Sequence, residues 1–210
     1  MQKELKKLDG EDYLVVSNNI IIPIAYFAPI EYYAIFLKYN CKIDCTEYFK
    51  KQSIRNRCEI YSSNGILKLT IPKKRKESSK TVISKLKISY EEDWQKKHWK
   101  SLEACYNSSP FFDFYKDDLY KVLHTKENYL FKYNLAIHNI ILKFLNNNNI
   151  KTKIKSNIYD LREYNFKKQK PIEYPQVFME KHGFIANLSI IDLIFNLGPE
   201  SIQYLEQINI

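Results

Sequence analysis

Between Tyr13 and Ile30 the chain runs eighteen residues without a charge, and two prolines, Pro23 and Pro29, lie inside that run. An uncharged stretch of this length is buried somewhere, in a protein core or in a bilayer. Proline lacks a backbone donor and clashes with the preceding turn, so no continuous helix passes through Pro23 or Pro29. Ser17-Asn18-Asn19 interrupts the run as well. The stretch therefore reads as a short buried strand over Ile20–Ile24 entering the turn Ala25-Tyr26-Phe27-Ala28-Pro29, and not as a membrane span. Residues 1–12 are polar and expected to fray, and Asp9, Glu11 and Asp12 do not suit a signal peptide.

The next stretch sets the topology. Ile30, Tyr33, Ala34 and Leu37 share one face at helical spacing over Ile30–Tyr39, and a second strand follows near Cys41–Cys45. Strand, helix and strand within about thirty residues predict a right-handed crossover in an α/β sheet. Such folds place ligands beyond the end of the first strand. The turn there has no glycine, and the chain has only Gly10, Gly65, Gly183 and Gly198. Neither a dinucleotide fingerprint nor a Walker loop can be built from these, so a bound phosphate would be held by side chains.

Arginine usage points to which side chains. Of 33 basic residues only four are arginine: Arg55, Arg57, Arg75 and Arg162. Two of them flank Asn56 in Tyr48–Ile60, a local concentration that lysine-rich drift does not explain. A guanidinium grips a carboxylate or phosphate with two parallel hydrogen bonds, which an ammonium cannot do. In an extended stretch Arg55 and Arg57 would share one face and together hold a diphosphate or two carboxylates. The alternative is a half-exposed strand whose arginines pair with nearby acids. Arg55–Tyr61 and Ile66–Ile71 flank Ser62-Ser63-Asn64-Gly65, a hairpin with Asn-Gly in its turn. Val82–Ile88 alternates and reads as another strand, after a basic loop over residues 72–80.

Beyond residue 90 the period changes to helical. Glu91-Glu92-Asp93 precedes a helix on which Trp94, His98, Leu102 and Cys105 share a face, and Ser109-Pro110 opens another. Asn128–Leu145 is a long amphipathic helix ending at Asn146–Asn149, Lys151–Ser156 a possible strand, and Tyr159–Pro175 an extended connection. Ser189 and Asp192 have capping-box spacing before an apolar run that Gly198 ends, and Pro199-Glu200 begins the last helix. The expectation is a single α/β (or α+β) domain over residues 1–210, sheet-rich over about 13–90 and mainly helical over 91–210.

Candidate chemistry is sparse. Cys41, Cys45, Cys58 and Cys105 form no CxxC pair, so no metal site is expected, and the usage fits a reducing cytoplasm. Cys58 beside Arg57 is a candidate nucleophile only if both reach one face, which strand alternation opposes. His98 is the best general base, set against a core histidine on an apolar face. Tyr26 and Tyr32 lie near the first strand's end and could stack on a sugar or base, or simply pack. The net charge of +9 fits an anionic partner, either RNA or a small phosphorylated substrate.

An ordered set of short motifs runs along the chain: Ile22-Pro23 through Pro29, Lys51-Gln52-Ser53-Ile54-Arg55-Asn56-Arg57-Cys58, His98-Trp99, Ser109-Pro110-Phe111-Phe112, and Ser189 through Asn196 to Gly198-Pro199-Glu200. Together they resemble the WbqC-like family of bacterial proteins over about residues 18–208. One position departs: the residue before Arg55, often aromatic in the family, is Ile54. The resemblance implies a cytoplasmic protein of surface-polysaccharide (O-antigen) biosynthesis, with aminoacyl (glycyl) or acyl transfer to an amino sugar as the suggested activity. It carries over Tyr26, Pro29, Gln52, Arg55, Asn56, Arg57, His98 and the Asn187–Asn196 segment. The expected site lies where the Tyr26–Pro29 turn, the two arginines and His98 converge. Its substrate would be a small anion, a sugar nucleotide or an activated acyl donor, and no cofactor is expected. The alternative is a non-catalytic module that binds RNA or protein through its basic face.

Overall fold

The structure is a computed structural model describing residues 4–8, 11–15, 20–146, 159–166 and 172–209. The sequence-predicted strand at Lys151–Ser156 lies outside them. Strands β1 (Glu4–Leu8) and β2 (Glu11–Val15) pair antiparallel where fraying was expected. The uncharged run supplies β3 (Ile20–Pro23), followed by α1 (Ile30–Lys38) and β4 (Cys41–Asp44). β3 and β4 are parallel, pairing Ile20 with Cys41 and Pro23 with Asp44, so the expected strand–helix–strand crossover forms. A two-residue strand, β7 (Tyr159–Asp160), adds parallel to the other edge of β3, giving the order β4-β3-β7. Central placement explains why β3 carries no charge.

Strands β5 (Arg57–Ser62) and β6 (Gly65–Thr70) form the expected hairpin. Ser62 pairs with Gly65, so Ser63-Asn64 makes the connection and Gly65 takes the positive φ of 94°. Asn64-Gly65 thus lies within the four-residue turn, as the sequence reading has it. Val82–Ile88 is not a strand. Ile83–Lys85 forms a 3-10 turn that buries Ile83 and Leu86, three residues apart, on one side. Beyond it Lys87 and Ile88 make only isolated bridges, to Tyr129 and Lys73.

The helical half follows the apolar spacing: α2 (Trp94–Tyr106), α3 (Phe112–Leu123), α4 (Leu130–Phe144), a single turn α5 (Met179–His182), α6 (Ile190–Leu197) and α7 (Ser201–Gln207). The fold is mixed α/β, strands first and then a mainly helical half. Helix α6 is buried almost all round, and Gly198 ends it at φ 53°. A Cβ on Gly198 would lie 2.4 Å from the Phe111 ring, and the Phe111 amide donates to the Phe195 carbonyl. The Ser109–Phe112 and Gly198–Glu200 motifs are therefore two halves of one packing contact.

Candidate active site

Beyond the end of β3 lies a cavity of about 260 Å³. Its walls come from the turn after β3, the loop before β5, the outer face of β5, residues 162–166 and the approach to α6. Three of the chain's four arginines, Arg55, Arg57 and Arg162, line it. So do Phe27, Gln52 and Asn187, whose φ values are +40°, +54° and +51°. Only one other non-glycine residue among those described, Asn146, has positive φ. Left-handed backbone at a non-glycine residue costs on the order of 1 kcal/mol or more and persists only where surroundings impose it.

The surroundings are visible. The Tyr26 amide donates to the Ile54 carbonyl at 2.8 Å, tying the turn to the loop before β5. Ser189 sits between turn and hairpin: its amide donates to the Glu59 carbonyl at 2.8 Å, and its hydroxyl to the Phe27 carbonyl at 2.8 Å. The Ile190 amide donates to the Ala28 carbonyl, and the Ile30 amide returns a bond to Leu188. Strain in the cavity floor is thus held by backbone hydrogen bonds from three segments.

The arginines are not equivalent. Arg55 lies in the turn before β5, not on the strand, and its side chain is 3% exposed. Its fork is closed on Glu47, through Nε to Oε1 and Nη2 to Oε2, and Nη2 also donates to the Arg162 carbonyl at 2.9 Å. Burial pushes the Glu47 carboxyl up, with the hydrogen bond and charge of Arg55 opposing. Arg162 is taken by Asp160 and by Asp44, the latter at 2.8 Å. Arg57, half-buried at the start of β5, donates from Nε to Thr70 Oγ1 at 3.1 Å. That is its only side-chain hydrogen bond among the described residues, which leaves both η nitrogens to the cavity. The proposed pair of open forks is therefore corrected to one.

Lys50 pairs with Glu163 at the rim, and Glu59, beside Arg57 on the same strand face, lies 3.7 Å from Lys68. Among the described residues the cavity lining carries four cations, Lys50, Arg55, Arg57 and Arg162, and two carboxylates, Glu59 and Glu163, while Glu47, Asp44 and Asp160 pair with Arg55 and Arg162 from outside the lining.

Of the other sequence-predicted residues, Pro29, Gln52, Asn187 and Ser189 line the cavity, and Tyr26, Tyr32, Asn56 and His98 stand behind it. Asn56 is buried, donating from Nδ2 to the Ile71 carbonyl at 3.1 Å, and so ties the loop to the hairpin. Tyr32 is buried, with its hydroxyl donating to the Pro23 carbonyl at 3.0 Å. Tyr26 is wholly buried, and its hydroxyl lies 2.9 Å from His98 Nδ1. The other ring nitrogen of His98 donates to the Thr70 carbonyl, and burial pushes its pKa down to about 4. His98 does not line the cavity, so the general-base role expected of it has no path to a ligand there. Its two bonds instead join the Tyr26 turn to β6. Cys58 borders the cavity but is buried against the core, and burial raises its thiol pKa, which opposes the nucleophile reading. No cluster of metal-ligating side chains occurs among the described residues.

The capping-box reading of Ser189 and Asp192 is also corrected. Ser189 Oγ is committed to Phe27, and Asp192 is wholly buried. Its carboxylate accepts from Tyr106 at 2.8 Å, Tyr174 at 2.5 Å and Gln176 at 2.9 Å. Sequence reasoning missed Glu47 and Asp44, whose pairing has no local signature. It also passed over Arg162, although arginine scarcity alone singled it out.

The family model of the WbqC-like protein family matches residues 23–165 and 162–204, spans that contain every segment lining the cavity. No curated protein and no solved structure matches the chain.

Proposed function

The chain belongs to the WbqC-like protein family, and on that premise we propose that the Arg57 cavity binds the anionic substrate of a group-transfer reaction. The reaction is aminoacyl (glycyl) or acyl transfer to an amino sugar in bacterial surface-polysaccharide biosynthesis. The observation that carries this reading is the gathering of three of four arginines around one strained, preformed cavity, with one fork left open. Strained residues held by their neighbours are a mark of functional sites. A guanidinium fixed at its base by Thr70 orients an acidic group with two bonds. Phe27, Pro29 and Phe166 supply apolar wall, and Gln52, Asn165 and Asn187 neutral donors and acceptors, a mixture that suits a sugar or acyl group. In this role His98 is a positioning residue, acting through Tyr26 on the turn.

The test is a thermal-shift and turnover screen against sugar nucleotides, aminoacyl adenylate analogues and short RNAs. The reading predicts stabilisation by a small anionic ligand, lost in Arg57→Gln. Stabilisation by RNA alone would replace it.

One observation supports the second reading, a nucleic-acid-binding face. Residues 72–88 hold seven cations and one carboxylate, Glu77, and so most of the chain's excess charge. None of the seven forms an ion pair among the described residues. RNA affinity falling steeply with salt, untouched by Arg57→Gln, would be its signature.

A further inference from the structure

The two substrate classes just considered, a sugar nucleotide and an activated acyl donor, differ in the acidic group they present. A sugar nucleotide carries two linked phosphoryl groups, whereas an acyl adenylate or an acid carries one singly charged oxyanion. The cavity distinguishes them, and the distinction rests on the reading of the cavity as the substrate site.

Gripping a diphosphate by two forks needs two available guanidiniums. Arg55 and Arg162 each have their fork closed on carboxylates. Freeing Arg55 would strand Glu47, itself buried, and separating a buried pair costs several kcal/mol. Among the described residues lining the cavity, Arg57 alone presents a guanidinium with both η nitrogens open, whereas Arg55 has only Nη1 left.

A second set of donors borders the same space. The backbone amides of Gln52 and Ile54 have no internal acceptor among the described residues, and both residues line the cavity. Gln52 takes the left-handed φ of +54° at the corner of the Lys50–Ser53 turn, whose closing bond engages the Ser53 amide. The loop is fixed in that form: the Ser53 carbonyl accepts from the Asn56 and Arg57 amides at 3.1 Å, and the Ser53 hydroxyl donates to the Lys50 carbonyl at 2.7 Å.

We infer that the cavity holds one oxyanion group between the Arg57 fork and the Gln52 and Ile54 amides, a carboxylate or a single phosphoryl group. The substrate it takes is the activated acyl donor or an acid, and not the diphosphate of a sugar nucleotide.

The experiment titrates the full chain with glucose, glucuronate, glucose 1-phosphate and inorganic pyrophosphate by NMR, in wild type, Arg57→Gln and Ile54→Pro. Ile54→Pro removes one of the two open amides at the first position of the Ser53–Arg57 turn, and its folding is checked by melting temperature. Glucuronate and glucose 1-phosphate are expected to bind where glucose does not, and to weaken roughly tenfold or more in Arg57→Gln. Pyrophosphate is expected to bind no tighter than glucose 1-phosphate. Ile54→Pro, if it melts like wild type, is expected to weaken both sugar acids severalfold; if it does not fold, Arg57→Gln decides alone. Pyrophosphate binding more than tenfold tighter than glucose 1-phosphate would overturn the inference and leave the cavity's role standing. Sugar-acid binding unchanged in Arg57→Gln would also overturn the inference alone. Binding of none of the probes would overturn both.

Discussion

Two polar clusters flank the segment that leads into α6, and they are built on opposite terms. At Asp192 a carboxylate with no exposed surface accepts from Tyr106, Tyr174 and Gln176, and Gln176 is itself closed on the Ile185 backbone. At Arg57, a few residues across the hairpin from the same segment, a half-buried guanidinium has one internal hydrogen bond and opens into a cavity. Both are charged groups in mostly apolar surroundings. Where every hydrogen-bonding position has a partner, the group fixes the fold. Where donors remain open beside strained backbone, the group is available to a ligand. Arg55 and His98 fall on the first side of this division, closed on Glu47 and on Tyr26.

If the division is right, Asp192→Ala is the most damaging single change. It strands three buried donors and should cost about 3–5 kcal/mol, read as a lower urea midpoint. A loss under 1 kcal/mol would mean that the cluster is not structural.

Acid should separate the two sides next. The pKa values of His98 and His138 are held near 4, against 6.5 ordinarily, because burial disfavours their charged forms. In the window between those values the unfolded chain takes up protons that the folded chain refuses. Their contribution is therefore complete above about pH 6.5 and is lost as pH falls toward 4, on the order of 3 kcal/mol for each. The buried Glu47 and Asp192 carboxyls, shifted upward, act in the opposite direction. The readout is thus the difference between wild type and His98→Gln, whose stability should fall less steeply with acid. Parallel curves would contradict it.

Arg55→Lys and Arg57→Lys should part company. The first loses a bidentate buried pair and should cost about 2 kcal/mol of stability while leaving ligand affinity within a fewfold. The second should melt near wild type and lose affinity. Smallest is Gln52→Gly, which relieves left-handed strain at an exposed site and should stabilise the protein by about 0.5 kcal/mol, seen as a small rise in melting temperature.

Much of this architecture was legible in the residues. Periodicity and the two prolines gave β3, α1 and β4, and apolar spacing gave α2, α4 and α6. What failed shares a cause: local patterns that two structures satisfy equally. Ser-x-x-Asp spacing at 189 and 192 fits a helix cap and also a buried carboxylate one turn inside a helix, and only Tyr106 and Tyr174 decide between them. Alternation over Val82–Ile88 fits a strand, but the chain there meets single bridging residues and no ladder. Arg55 and Arg57 look alike in sequence because their difference is made by Glu47, which carries no mark of its pairing. Arg162 was identifiable by scarcity, yet more than a hundred residues separate it from Arg55. Asn187 was drawn in with its motif, and asparagine's tolerance of left-handed backbone is the physical reason it serves there.

With only four arginines, the Nε–H region of a ¹⁵N-correlated spectrum should hold four signals, one for each residue in contention. Titration with glucose 1-phosphate is the most direct test of Arg57 as the open fork. The Arg57 signal should shift in a saturable way while those of Arg55, Arg75 and Arg162 hold still. Movement of the Arg55 or Arg75 signal, with that of Arg57 unchanged, would contradict the assignment.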